Sequence, residues 1–355
     1  MRLLVWQWGR RGAGPRYATE LAAGLARVPG VATSLSLSRQ AEILEGPDAP
    51  PCDLTVATYS SLVGLLLRLP LLPFQVGGLA RRVAALRPDA AICAMPAPLD
   101  LLMAAALRRL RVPYAVVVHD ADLHPGDIHA PQMLLQRRLV AQADAVVALS
   151  RHVGERLREQ GLARRLILTE LPPLPFGPLP LPPRAHGGRL RLLCFGRLLP
   201  YKGLDLLAET MAALGPRDDM ELRVVGSGPE SAVLDALRAL PGVRVENRWV
   251  PEGEVGAILA WSDALVLPYR EASQSGVAAA ALAAGRFVVA TRVGGITEQL
   301  AGVALARLVV PDAVALAGAL VALACEVRPA QTATVSDRWP EVSATLVRDL
   351  KAALG

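Results

Sequence analysis

The 355-residue chain is 52% apolar, 4% aromatic and 20% charged, with a formal net charge of +6. That apolar share excludes a disordered chain, and the length fits two domains of ordinary size. Four widely spaced cysteines, Cys52, Cys93, Cys194 and Cys325, argue against a disulfide framework or a cysteine metal site; each reads as a small core residue in a reducing compartment.

Met1 leads straight into the strand-like run Leu3–Trp8 without a small-residue cleavage site, so a cytoplasmic protein lacking a secretory leader is expected. Further strands are expected at Val31–Leu37, Leu54–Thr58, Ala90–Ala94, Tyr114–His119 and Ala145–Leu149. Between them, Pro15–Arg27, Leu79–Leu86, Leu99–Leu110, Gln132–Gln142 and Arg151–Gln160 read as helices. The strands are wholly apolar rather than alternating, as in parallel sheets covered on both faces. Ser61–Ala80 is unusually apolar, but Arg68, Pro70 and Pro73 interrupt it before it could span a bilayer. It reads either as a buried helix and loop or as an apolar lip that dips into a membrane surface.

Residues 171–188 are too proline-rich for helix or central strand and form a stiff linker. The alternation then restarts. Strands are expected at Leu190–Phe195, Leu222–Val225, Val243–Val245, Ala264–Leu267 and Phe287–Ala290. Helices are expected at Leu204–Leu214, Glu230–Leu240, Glu254–Ala260, Ser275–Ala284, Asp312–Ala324 and Trp339–Leu354. The fold class is therefore α/β: two Rossmann-like, doubly wound parallel-sheet domains facing a cleft, 1–170 and 189–335, followed by helix 339–354.

The charge is uneven. Residues 1–170 hold 20 Arg against 14 Asp and Glu, whereas residues 171–355 hold 18 basic and 18 acidic residues. A basic first half suggests an anionic partner, with peripheral contact to the inner face of an anionic membrane as one form, or simply an uneven solvated surface. Nucleic acid is not expected, because no basic–aromatic interleaving or binding module is present.

Ligands of such folds bind where strands end. The strongest signal is 195–203, FGRLLPYKG: Gly196 permits a sharp turn, and Arg197 and Lys202 place two cations beside a helix start, suited to a departing diphosphate. Lys202 stands out further because Lys351 is the only other lysine. Gly226 and Gly228, in VGSGPE, would wall the same pocket. Trp249 either flanks a base or is core. In 268–277, PYREASQSGV, Glu271 is suited to sugar hydroxyls, while Gln274, Ser275, Gly276 and Val277 place donors at a helix start; Ser275 alternatively serves only as a cap. In the first half, the Gly12 and Gly14 loop departs from the dinucleotide fingerprint but allows close backbone approach. His119 and Asp120 follow a strand and suit an acid–base or orienting pair, the alternative being a structural histidine. A metal site on His119, Asp120 and His124 matches no standard spacing, so no metal is assigned.

Taken in order, FGRLLPYKGLDLLAE, VVGSGPE, PYREASQSGVAAAALAAG and VVATRVGGITE resemble the donor-domain motifs of the family 4 glycosyltransferases, which have the GT-B fold; the resemblance covers nearly the whole chain. It implies metal-free retaining transfer from a nucleoside-diphosphate sugar, a co-substrate rather than a resident cofactor, to an acceptor such as a lipid-linked or polysaccharide-precursor glycan. It further implies that Arg197 and Lys202 bind the diphosphate and Glu271 the donor sugar. His119 would lie near the transferred sugar, Gly12–Gly14 near the phosphates or acceptor, and helix 339–354 would cross back onto the first domain. Many members carry a ribose-binding Glu eight residues after the first; here Ala279 stands there, as in a QSGV-type subset. Two rivals are a nucleotide-sugar epimerase and a non-catalytic homologue that acts as a binding partner.

Overall fold

The computed structural model describes residues 1–46, 49–123, 125–126, 130–177, 181, 188–326 and 336–354. The chain divides into two compact units: Met1–Leu123 with His129–Pro172 and Asp337–Gly355, and His124–Ile128 with Pro173–Ser336.

In the first unit the elements are β1 Arg2–Gln7, α1 Ala13–Ala26, β2 Ala32–Ser38, β3 Leu54–Val56, α2 Leu62–Arg68, α3 Leu72–Leu86, β4 Ala90–Cys93, α4 Asp100–Leu110, β5 Tyr114–Val118, α5 Ala130–Gln142, β6 Ala145–Ala148, α6 Arg151–Glu159 and β7 Leu166–Leu168. Seven parallel strands lie in the order β3-β2-β1-β4-β5-β6-β7. Strands β4, β5 and β6 are buried along their whole length, which explains their unbroken Ala, Val and Ile composition.

In the second unit they are β8 Leu190–Phe195, α7 Leu204–Leu214, β9 Met220–Gly226, α8 Ala232–Ala239, β10 Val243–Asn247, α9 Glu252–Trp261, β11 Ala264–Leu267, α10 Gly276–Ala283, β12 Phe287–Thr291, α11 Gly294–Leu300, β13 Ala306–Val309 and α12 Ala313–Glu326. Its six parallel strands run β10-β9-β8-β11-β12-β13. The expected pair of α/β sheets is present. The fully buried strand β11 and the sheet-centre strand β8 fall on the residues expected for them. The edge strands β7 and β13 are additions: β7 has only three residues, and β13 is interrupted by the exposed Arg307.

The last helix, α13 (Trp339–Leu354), belongs to the first unit, where it packs on α1. Its Trp339 ring lies 5.8 Å from Tyr17, and a Cβ at Gly24 would stand 2.5 Å from Ser343 Oγ, so the two helices touch through a glycine. Arg27 pairs with Asp337 at 2.5 Å at the rim.

Half of the proline-rich stretch, 178–180 and 182–187, lies outside the described residues. Of the remainder, Leu174 N–H donates to the Ala279 carbonyl at 3.0 Å, and the buried Arg286 donates to the Leu181 carbonyl at 2.8 Å.

Two expectations need correction. Cys93 and Cys194 are core residues, but Cys325 is exposed near the end of α12. Of the two readings of segment 61–80, the buried one fails for its first part: α2 and α3, joined by a tight turn at Leu69–Leu71, leave Val63, Leu66, Leu67, Leu71 and Phe74 between 52% and 85% exposed, whereas Leu79 and Ala80 are buried. Hydropathy recorded what water rejects, whereas burial needed a neighbouring element that the described residues do not supply.

Trp339→Ala is expected to destabilise the first unit by roughly 3–5 kcal/mol, the usual result of emptying a buried tryptophan site. Urea denaturation followed by far-UV circular dichroism checks this; an unchanged midpoint would show that α13 adds nothing to the unit.

Candidate active site

Each sheet reverses its strand order once, between β1 and β4 and between β8 and β11. Open parallel sheets bind ligands at the carboxyl ends of strands beside such a reversal. The residues singled out in the sequence follow these strands or their immediate neighbours, except Trp249, which follows the edge strand β10.

In the second unit, the loops after β8, β9 and β11 pack backbone against backbone. Gly196 N–H donates to the Val225 carbonyl at 3.1 Å, Leu198 N–H to Ser227 at 2.9 Å, and Arg270 N–H to Tyr201 at 2.8 Å. Two glycines make these approaches possible. At Gly203, with φ of 67°, a Cβ would stand 1.8 Å from the Pro268 carbonyl oxygen; at Gly226 it would stand 1.7 Å from that of Gly196. Any side chain at either position would force the loops apart. Gly228 is clamped by Asn247, whose side chain accepts from its N–H at 3.0 Å and donates to its carbonyl at 3.1 Å.

Arg197 and Lys202 share Tyr201 in this frame. Arg197 Nη2 donates to the Tyr201 hydroxyl at 2.7 Å, with its guanidinium 5.4 Å from the ring centroid. Lys202 Nζ lies 4.9 Å from the same centroid and 3.7 Å from that of Tyr269. The two cations are therefore no further apart than the combined 5.4 and 4.9 Å. Cation–π contact fixes an ammonium group without cancelling its charge. Both tyrosines are buried, and burial raises the Tyr269 hydroxyl pKa, so that ring stays neutral.

The Tyr269 hydroxyl lies 3.3 Å from Ser275 Oγ, which caps α10 by accepting from Ala278 N–H at 3.1 Å. Ser275 N–H itself donates to Gln299 Oε1 at 2.8 Å, and Gln299 returns a bond to the Ser275 carbonyl at 3.0 Å. Ser275 is thus a structural cap whose own N–H is engaged. The first-turn N–H groups of Gly276 and Val277 are the ones that helix geometry leaves without an intrahelical carbonyl. Beside them, Gln274 Oε1 is shielded from solvent and has no hydrogen-bond partner among the described residues. Glu271 is half-buried in the same loop, its N–H directed at the Tyr201 carbonyl at 3.4 Å. Trp249 is 37% exposed, which rules out a purely core role. Ala279 is buried, so this face of α10 is packed rather than open.

In the first unit, Gly12 caps α1 with φ of 81° and no side-chain cap, and a Cβ there would meet open space. Gly14 differs: a Cβ there would crowd Gln7 Nε2 at 2.8 Å. His119 is buried, stacked edge-on to Tyr17 at 4.9 Å, with Nε2 at 2.9 Å from the Ala94 carbonyl. A carbonyl can only accept, so Nε2 carries the hydrogen. Burial lowers the pKa of the ring and keeps it neutral, leaving the lone pair on Nδ1. Asp120 follows it, half-buried, and its carbonyl accepts from Gln136 Nε2 at 2.6 Å. His124 lies outside the described residues.

Several supporting residues escaped the sequence reading. Tyr201 and Tyr269 stood within quoted motifs, but only the fold shows that they carry the lysine. Gln299, on α11, offered no signal. Asp100 reads as an ordinary helix start, yet it is buried, accepts from Ala97 N–H at 2.6 Å and from Cys93 Sγ at 3.3 Å, and so fixes the turn that presents the Ala94 carbonyl to His119. Burial pushes its carboxyl up to about 7.

Both units match family models of glycosyltransferases. Residues 14–168 match the family model described as Glycosyltransferase Family 4, and residues 189–326 match that described as Glycosyl transferases group 1. Each unit is thus similar to a glycosyltransferase domain. Curated relatives include the D-inositol 3-phosphate glycosyltransferase of Xylanimonas cellulosilytica, 31% identical over 50% of this chain and 48% of that one. The GDP-mannose-dependent alpha-(1-6)-phosphatidylinositol monomannoside mannosyltransferase of Mycolicibacterium smegmatis is 32% identical over 38% of each chain. The chain spans less than half the length of these relatives. Among solved structures, the Anabaena protein HepE in complex with UDP and glucose has a TM-score of 0.67 at 16% identity, covering 99% of this chain and 98% of that one. That likeness establishes the fold.

Gly226→Ala is expected to abolish ordered packing of the two loops and to lower the melting temperature by several degrees, as a backbone clash of this kind requires. Differential scanning calorimetry checks it. A second prediction concerns pH. Because the Asp100 pKa is raised from 3.8 to about 7, the folded chain holds a proton that the unfolded chain releases, and stability falls as pH rises across that window. The His119 shift acts oppositely: its lowered pKa removes stability as pH drops below the ordinary value of 6.5. Asp100→Asn should erase the first loss and keep the second, as read from urea midpoints across pH.

Proposed function

We propose that the chain is an active glycosyltransferase that moves a hexosyl unit from a nucleoside-diphosphate sugar to a lipid-linked or polysaccharide-precursor glycan, with retention and without a metal ion. The observation that carries this reading is the pairing of Arg197 and Lys202 on Tyr201 within a rigid loop frame. Fixed positive charge placed before the reaction is what a departing diphosphate requires.

In this reading the bond between the anomeric carbon and the diphosphate oxygen breaks, and its electron pair leaves with the diphosphate. Arg197, Lys202 and the N–H groups of Gly276 and Val277 stabilise that charge. The acceptor oxygen attacks the same face, and its proton passes to the departing phosphate oxygen. Glu271 accepts from sugar hydroxyls, and neutral His119 accepts one at Nδ1. Asp120 orients the histidine, Gly12 allows backbone approach, and Trp249 flanks the base. The QSGV-type motif sets the chain in a subset that recognises ribose without a carboxylate at position 279. The acceptor lies at the cytoplasmic face of an anionic membrane.

A second reading, a non-catalytic homologue that binds donor without turning it over, draws support from the buried Ala279. One experiment separates the two. A thermal-shift panel of nucleoside-diphosphate sugars should reveal one donor that raises the melting temperature by mass action. With that donor, Arg197→Ala/Lys202→Ala should lower turnover by about 10³-fold or more. Donor binding with no transfer or hydrolysis by the wild type would favour the second reading, and a double variant near wild-type rate would overturn the first.

A further inference from the structure

The exposed residues of α2 and α3 form an ordered surface. Val63, Leu66 and Leu67 follow the i, i+3, i+4 spacing of one helical stripe, and they are 65%, 56% and 70% exposed. Leu71 and Phe74 continue the patch at 52% and 85%. The opposite side of α3 is occupied, with Leu79, Ala80 and Val83 buried in the core against α4. Seven residues, about two helical turns, bring a side chain back to nearly the same direction, so the exposed Arg81 stands on the Phe74 face of α3. Arg82 is also exposed and reaches the Thr55 carbonyl at 2.6 Å.

The sequence stretch that carries the patch has charge of one sign. Between Asp53 and Asp89 there is no acidic residue, whereas Arg68, Arg81, Arg82 and Arg87 fall within that stretch. No helix among the described residues is long and apolar enough to cross a membrane. Apolar side chains beside arginines, on a helix too short to span, suit the boundary between acyl chains and anionic headgroups. A second copy of this chain fits less well, because a two-fold contact through the same patch would bring the arginines of both copies together.

We propose that α2 and the first turns of α3 dock the chain on an anionic lipid surface, with Leu67 and Phe74 entering the acyl boundary and Arg81 engaging headgroup phosphates. This gives a physical location to the membrane contact in the functional reading above. Its test does not depend on sugar transfer.

Vesicle co-flotation of the full chain supplies the test, with phosphatidylglycerol-rich and pure phosphatidylcholine vesicles compared at low and high salt. The wild type should float with the anionic vesicles and lose binding as salt rises. Leu67→Ser/Phe74→Ser should weaken that binding roughly tenfold or more, and Arg81→Glu by roughly fivefold to tenfold. All three substitutions are at exposed positions, so the melting temperature and its shift by donor should be unchanged. The proposal is overturned if the wild type ignores anionic vesicles or if the double serine variant binds as well as the wild type. It is equally overturned if light scattering shows a dimer that the double variant splits, because the patch then belongs to a second copy. Loss of donor-induced thermal shift in the wild type would count against the transferase reading alone.

Discussion

Close backbone contact among three loops is the constraint on which the donor-side residues depend. Carbonyl oxygens at Pro268 and Gly196 sit where side chains would be at positions 203 and 226. Because nothing larger than hydrogen fits, the loops after β8, β9 and β11 behave as one block. That block fixes Tyr201 and Tyr269, and the rings in turn fix Lys202 and Arg197. An electrostatic site made this way needs little rearrangement when charge develops, which is the property attributed to effective oxyanion-type stabilisation.

The two units differ in character. The second, built on residues with balanced charge, holds its site by backbone nesting. The first carries the excess of arginine and positions His119 through a buried carboxyl, a thiol and a carbonyl in series: Asp100, Cys93 and the Ala94–Ala97 turn. Burial raises the Asp100 pKa, so this carboxyl holds the turn at a desolvation cost.

Much of the architecture could be read from residue order alone, because strands covered on both faces must be continuously apolar. Leu190–Phe195 and Ala264–Leu267 coincide with their expected limits for that reason. Strands at the edges obey weaker rules: Leu166–Leu168 has three residues, and Ala306–Val309 contains the exposed Arg307. At the site, charged and glycine-rich positions were visible because few other roles explain them beside strand ends. The aromatic platform was not, since Tyr201 and Tyr269 are 68 positions apart in sequence and meet only through the loop contacts. Ser275 shows the limit from the other side: the helix-start pattern was correct, but Gln299, one helix later, takes its N–H.

The placement of α13 has a consequence for biogenesis. The first Rossmann unit begins to emerge from the ribosome early, yet the helix that covers Tyr17 and Gly24 follows only after the whole second unit has been made. The second unit is in effect an insertion within the first, and can complete its own folding while the first still waits for Trp339. Until then α1 presents an uncovered apolar flank, a natural point for chaperone capture.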